Sequence, residues 1–234
     1  MLVKQLASRR RKRPDEASGS KRDKLWHNYL KLEAYDRSCL REEGDCLAGI
    51  DEVGRGAFAG PVVAAAVVLP RESELVGVND SKKLSEDERE AIFPVIVQRA
   101  IAIGISYSHP ALIDRVNVLN ATLMAMAGAA ENLRLAADLI IIDGRDRIDI
   151  DRRVIPVIGG DGKSLSIAAA SLVAKVARDR LMRKLHKRHP LYNFISNKGY
   201  GTKEHIAAIV AHGMTPAHRR TYCVSAVENT PGLF

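Results

Sequence analysis

The sequence predicts an α/β fold, a mixed β-sheet flanked by helices with a helical C-terminal part, and two observations carry that prediction. Three apolar runs rich in Val, Ile and Ala come first, and two further short apolar runs then alternate with stretches of helical period. The later runs, 138–144 and 154–158, are apolar without alternation, as strands covered on both faces are.

Residues 1–25 mix Lys and Arg with Ser, Gly and Pro and hold almost no large apolar residue beyond the first six. That is the composition of a disordered basic arm, which places the folded domain at 26–234. Leu25, Tyr29, Leu32, Tyr35 and Leu40 then recur at near-helical spacing as far as about Glu43. A strand at 46–53 runs into Gly54-Arg55-Gly56, and Gly60–Leu69, ended by Pro70, reads as its neighbour. The polar loop 77–84 precedes Ser85-Glu86-Asp87-Glu88, a capping-box pattern that starts a helix to about Ala100 with Pro94 as a candidate kink. Ile101–Ser108 alternates as a strand, and 116–135, crowded with Ala, Met and Gly, reads as one helix suited to close packing on a sheet. Asp138–Gly144 and Val154–Ile158 are strands ending beside glycine, and 164–189 is the longest helical pattern, stopped by Pro190.

Composition narrows the class. An apolar content of 46% in 234 residues supports a core of ordinary size. No apolar run reaches the roughly 18 residues a membrane span needs. Cys39, Cys46 and Cys223 lack CxxC spacing, which argues against a disulfide framework or a zinc ribbon and for a reducing, cytoplasmic setting. The net charge of +8 points to a polyanionic partner, yet nine Lys or Arg against three acids lie within residues 1–25, so the arm makes the protein basic. That arm reads as an electrostatic contact for DNA or RNA, as a solvated leader, or, its first fourteen residues being acid-free, as a transit peptide.

The chemistry lies at the strand ends. Asp51 and Glu52 close the first strand, Asp143 precedes Gly144, and Asp161 sits between Gly160 and Gly162. Neighbours 51 and 52 point to opposite faces of a strand, so both serve one site only where the strand twists or ends, and the glycines that follow make that ending. Four converging carboxylates repel one another unless cations lie between them. Hard oxygen donors favour Mg2+ or Mn2+ over zinc, and two such ions about 3.5–4 Å apart clamp the attacking and leaving oxygens of a phosphodiester.

The residues resemble type 2 ribonuclease H, the ribonuclease HII family. The matching stretches run in order from Leu47 to Val224: IDEVGRG at 50–56, AGPV at 59–62, NDSKKLS at 79–85, IDG at 142–144, GD at 160–161, IAAASLVAKVARDRLM at 167–182, KGYGT at 198–202 and HRR at 218–220. The resemblance implies an RNase H-like fold and a metal-dependent endonuclease. Its implied substrates are the RNA strand of RNA/DNA hybrids and single ribonucleotides embedded in duplex DNA. It places the acidic metal site on Asp51, Glu52, Asp143 and Asp161, with Mn2+ or Mg2+, two ions during catalysis. It places the ribonucleotide-sensing turn on Gly54, Arg55 and Gly56, and the tyrosine that works with it on Tyr200. It also implies a role in DNA replication and repair, and we expect a monomer. The chain departs from the family pattern at Ala57-Phe58 and at the glycines flanking Asp161, Gly159 and Gly162.

Elementary chemistry agrees with these assignments. The 2′-hydroxyl both donates and accepts a hydrogen bond, so the backbone groups of a Gly-x-Gly turn can read it without reading the base. A tyrosine ring stacks on the neighbouring deoxyribose. Ser81, Lys82 and Lys83, before a helix start, are expected to hold phosphate. Along the longest helix, Ser171, Lys175, Arg178 and Met182 step by four, three and four onto one face, read as a stripe for nucleic-acid contact, Ser171 and Lys175 foremost. The histidines, among them His186, His189, His205 and His218, show no metal-ligand spacing and are expected in core or surface roles, and Trp26 in packing. Two rival readings are a type 3 ribonuclease H, against which the GRG turn speaks, and a catalytically silent nucleic-acid-binding protein, which four present acids disfavour.

Overall fold

The computed structural model describes residues 20–42, 44–78 and 84–228. Of the basic arm, residues 1–19 lie outside them, as do Ser81, Lys82 and Lys83. Helix α1 spans Lys21–Cys39, so the folded part begins several residues before the expected 26. The reason is local: the Ser20 side chain accepts from the Asp23 amide while the Asp23 carboxylate accepts from the Ser20 amide, a capping box inside what reads as arm.

Strands β1 (Leu47–Val53), β2 (Val62–Val68), β3 (Ala102–Ser108), β4 (Leu139–Asp143) and β5 (Val154–Val157) form one sheet in the order β3-β2-β1-β4-β5. β1–β2 and β2–β3 are antiparallel pairs, and β1–β4 and β4–β5 are parallel, which makes the sheet mixed as expected. Strand period fixes the two faces. Ala65 and Val67 pack with Tyr29 and Leu32 of α1, with Ile92 and Ile96 of α2 (Glu86–Arg99), and with the long helix α5 (Leu165–Arg188). Ala64, Ala66 and Val68 point the other way, joining Ala48 and Ile50 of β1 and Ile140 and Ile142 of β4 against α4 (Val118–Glu131). The sheet is therefore the middle of three layers.

α2 begins at the predicted Ser85 capping box and runs through Pro94. The helix expected at 116–135 is α4, two residues shorter at its start and four at its end, and a separate short helix, α3 (Pro110–Val116), precedes it where the sequence reading places none. Asn117, at φ +68°, breaks the axis and accepts from the Asn120 amide to cap α4, which ends at Glu131. α5 lies close on the sheet because it presents Ala168, Ala169, Ala170 and Ala174, all fully buried, and because β1 presents Gly49. A Cβ on Gly49 would stand 2.3 Å from the Ser166 carbonyl carbon.

Beyond α5, the short helices α6 (Phe194–Asn197), α7 (Lys203–His212) and α8 (Arg220–Glu228) form the helical C-terminal part. Tyr192, Phe194, Ile209, Ala217 and Cys223 pack there with Ala59 and with Met182 at the far end of α5. This unit is sewn to the loop after β1. The Phe58 and Ala59 amides donate to Gly199 O, the Gly60 amide donates to Ala217 O, and the Arg219 amide donates to Phe58 O. Trp26 packs on the core as expected.

Candidate active site

The carboxyl ends of the parallel strands meet on one rim of the sheet. The register that pairs Ile50 with Ile142 brings the next residue of each strand, Asp51 and Asp143, to the same end. Both lie on the face toward α5, since Leu47, Leu139 and Ile141, two and four residues earlier, pack there with Ile167. Glu52 has the opposite parity, but β1 ends one residue later, and its carboxylate joins the same cluster. Asp51, Glu52 and Asp143 line one open cleft together with Gly54, Arg55, Gly56, Arg89, Ser171, Lys175 and Tyr200.

Asp51 is 5% exposed. Burial, with Glu52 and Asp143 beside it, pushes its carboxyl well above the usual range, against the Ser171 hydroxyl and the Glu52 amide, which donates to Oδ1 at 2.7 Å. Burial raises Glu52 too, opposed by the Arg55 guanidinium at 3.4 Å. Asp143 Oδ1 accepts from the Gly160 amide at 2.7 Å, so β4 holds the turn 160–162 that carries Asp161. Asp161 itself is buried at 9% exposure and is not among the side chains lining the cleft. Among the described residues, no three of His, Cys, Asp or Glu are so arranged that they could hold a metal ion without rearranging. The acids are engaged with backbone amides and Arg55 instead.

The stripe on α5 divides. Ser171 is 5% exposed and bonds to Asp51, and Lys175 Nζ is 2.7 Å from Asp179 Oδ1 at the cleft wall. Arg178 and Met182 are fully buried and face no phosphate, which corrects the expected stripe. Arg178 donates to the carbonyls of Ala59, Pro61 and Lys198 and lies 5.4 Å from the centre of the Tyr200 ring. The helix is amphipathic in sequence, but the loop after β1 and the C-terminal helices cover its polar side.

Gly54 sits at φ +94°, and a Cβ there would meet Arg178 Nε at 2.2 Å, whereas Gly56 faces open space. Arg219, fully buried, donates to the carbonyls of Gly54, Arg55 and Gly60. Tyr200, 37% exposed at the rim, is fixed through its backbone. Its carbonyl faces His205 Nδ1 at 2.9 Å, and a carbonyl only accepts, so Nδ1 carries the proton and Nε2 is bare. His218 Nε2 then donates to His205 Nε2 at 3.1 Å, and His218 Nδ1 accepts from the Thr215 amide at 2.9 Å. The pair is a buried core device, as expected of the histidines. The parts played by Arg89 and Arg219 have no signal in local spacing, because Arg89 reaches Asp179 and Arg219 reaches the GRG turn across long sequence separations.

Comparison with known proteins decides the family. The ribonuclease HII family model matches residues 48–225. The chain belongs to the ribonuclease HII family. Ribonuclease HII of Acetivibrio thermocellus is 46% identical over 202 residues, covering 86% of this chain and 79% of that protein. Ribonuclease HII of Bacillus subtilis is 42% identical over 203 residues, 87% of this chain and 79% of that one. In three dimensions the ribonuclease H2 of Pyrococcus horikoshii superposes with a TM-score of 0.66 at 26% identity, covering 78% of this chain and 97% of that one. A ribonuclease HIII solved in complex with Mn2+ shares the fold at a TM-score of 0.61 and 19% identity, over 92% of this chain and 75% of that one. Ribonuclease HII membership makes the protein a ribonuclease H, a hydrolytic endonuclease acting on RNA/DNA hybrids.

Proposed function

We propose that the protein cleaves the RNA strand of RNA/DNA hybrids and also cuts on the 5′ side of single ribonucleotides embedded in duplex DNA, leaving a 3′-hydroxyl and a 5′-phosphate. The observation that carries the reading is the juxtaposition in one cleft of Asp51, Glu52 and Asp143 with the GRG turn and Tyr200.

The donor set fits a hard dication. Asp51, Glu52 and Asp143 supply only carboxylate oxygens, and the raised proton affinity of Asp51 and Glu52 is that of a cluster short of positive charge, which Mg2+ or Mn2+ would relieve with release of protons. These three would hold the metal, together with Asp161, which the turn gripped by Asp143 places next to them. Held there, a dication would supply an activated water and stabilisation of the phosphodiester oxygens.

The chain's own residues do the rest. Ser171 orients Asp51, and Asp143 holds the 160–162 turn against β4. The Gly54 and Arg55 carbonyls are occupied by Arg219, so the turn offers the 2′-hydroxyl its amides at Arg55 and Gly56 rather than those two carbonyls. Gly56 leaves room for a sugar to approach that backbone. Tyr200, exposed at the rim, presents its ring to the adjacent deoxynucleotide. Lys175 and Arg89 lie on the cleft wall, where the phosphate backbone runs past. Ser81, Lys82 and Lys83 keep their expected role as phosphate contacts. We take the protein to act in the cytoplasm as a monomer and to start ribonucleotide removal from DNA; among the described residues no helix is long and apolar enough to cross a membrane.

The test is Asp143→Asn with a labelled duplex bearing one ribonucleotide. Cleavage is abolished while duplex binding is retained; retained cleavage would move the metal site elsewhere.

A further inference from the structure

Arg219 lies on the far side of the GRG turn from the cleft and is fully buried. Its guanidinium donates from Nη2 to Gly54 O at 2.7 Å and from Nη1 to Arg55 O at 2.6 Å, and from Nη2 and Nε to Gly60 O at 2.9 and 3.1 Å. In a trans peptide the C=O and N–H of one unit point in opposite directions. The unit whose carbonyl belongs to Gly54 has the Arg55 amide at its other end, and the unit whose carbonyl belongs to Arg55 has the Gly56 amide. Two carbonyls pulled inward by one planar fork therefore turn two consecutive N–H groups outward. Neither N–H has a partner among the described residues, and both residues are exposed and line the cleft. Hydrogen bonds from a cation to the carbonyl end also polarise the amide end, strengthening it as a donor.

We propose that Arg219 is the positioning residue for 2′-hydroxyl recognition: gripping the Gly54 and Arg55 carbonyls from inside, it aims and polarises the Arg55 and Gly56 amides toward the ribose. The proposal rests on the reading of the GRG turn given above. Lysine in its place keeps the charge but has no planar fork and cannot hold two successive carbonyls in one plane.

Two measurements test it. In wild-type protein, hydrogen exchange at the Arg55 and Gly56 amides is fast in the free state. It slows on binding a DNA duplex with one ribonucleotide, and slows less on binding the same sequence as all DNA. Slow exchange in the free protein, or equal protection by both duplexes, overturns the proposal. The second compares fluorescence-anisotropy Kd values for the two duplexes in EDTA for wild type, Arg219→Lys and Leu133→Ala, a core truncation under α4 chosen to lower stability without touching the cleft. Arg219→Lys reduces the ribonucleotide preference about tenfold, the loss expected from misaiming two donors, with little change for all-DNA duplex. Leu133→Ala keeps the preference. Equal weakening on both duplexes, or an unchanged preference, makes Arg219 a purely structural residue and overturns the proposal. A wild-type protein that cuts the hybrid but shows no ribonucleotide preference removes the reading of the turn itself, a different failure from that of Arg219.

Discussion

Gly54 and Gly56 differ by two positions in sequence and by their whole physical role, which Gly54→Ala and Gly56→Ala separate. At Gly54 an added Cβ sits in the left-handed region, a cost of about 1–2 kcal/mol. It also stands 2.2 Å from Arg178 Nε, inside any allowed contact, and the obstacle is a guanidinium bonded to three carbonyls rather than a free side-chain end. Displacing it forfeits at least one charge-assisted hydrogen bond in a buried setting, about 1.5–3 kcal/mol. The sum is about 2.5–5 kcal/mol of lost stability. Gly56 has neither a positive φ nor any atom within 4 Å of the added methyl, so Gly56→Ala stays within about 0.5 kcal/mol of wild type. That methyl projects where the substrate sugar approaches, and cleavage of a single-ribonucleotide duplex falls by an order of magnitude or more. Urea unfolding with the slope m held common gives the stabilities, and initial rates give the activities. A Gly54→Ala protein as stable as wild type, or a Gly56→Ala protein destabilised by more than about 1 kcal/mol, refutes the assignment of roles.

Three further outcomes follow from the same geometry. Tyr200→Ala removes a rim side chain with little effect on the melting temperature, and lowers the rate on single-ribonucleotide duplexes more than the rate on long hybrids; equal losses would detach Tyr200 from junction recognition. Burial, with His205 adjacent, lowers the His218 pKa to about 4, below the unfolded 6.5. Its folded-state pKa being depressed, the unfolded chain takes up the proton first, so stability is complete above pH 6.5 and is lost as pH falls toward 4, by about 3 kcal/mol in all. Asp36, raised to about 6 by burial, works in the opposite sense over part of that window. The difference in stability between wild type and His218→Asn isolates the histidine, and a difference independent of pH between 4 and 7 would contradict the neutral pair. Arg219→Lys, finally, lowers the preference for a ribonucleotide as described above.

Much of the fold was legible because its strands are written as apolar runs and its helix starts as Ser caps. The capping box at Ser85 acts as read, the long helix starts just after Ser164 as its pattern predicts, and the β1 acids end a buried strand as read. The start of α4 behind Asn117 was legible to within two residues, but α3 was not, because seven residues are too few to show a helical period. The α5 stripe misled for a different reason. Amphipathic spacing says which residues share a face, not what covers it, and carbonyls from residues 59, 61 and 198 turn Arg178 inward. Of the candidate site, Asp51, Glu52, Asp143, the GRG turn and Tyr200 come together. Asp161 adjoins the site through Gly160, the glycine that lets its turn dock on Asp143. Arg219, 164 residues from Arg55, belongs to the turn only in three dimensions.

The central claim is that the carboxylates at the ends of β1 and β4 cut beside a ribonucleotide once a hard dication is bound. It is tested most directly with an end-labelled DNA duplex carrying one ribonucleotide, incubated with Mg2+ or Mn2+ and in parallel with EDTA. The account predicts a single incision on the 5′ side of that ribonucleotide, present with metal and absent with chelator. No incision with either metal, or incision that persists in EDTA, would contradict it.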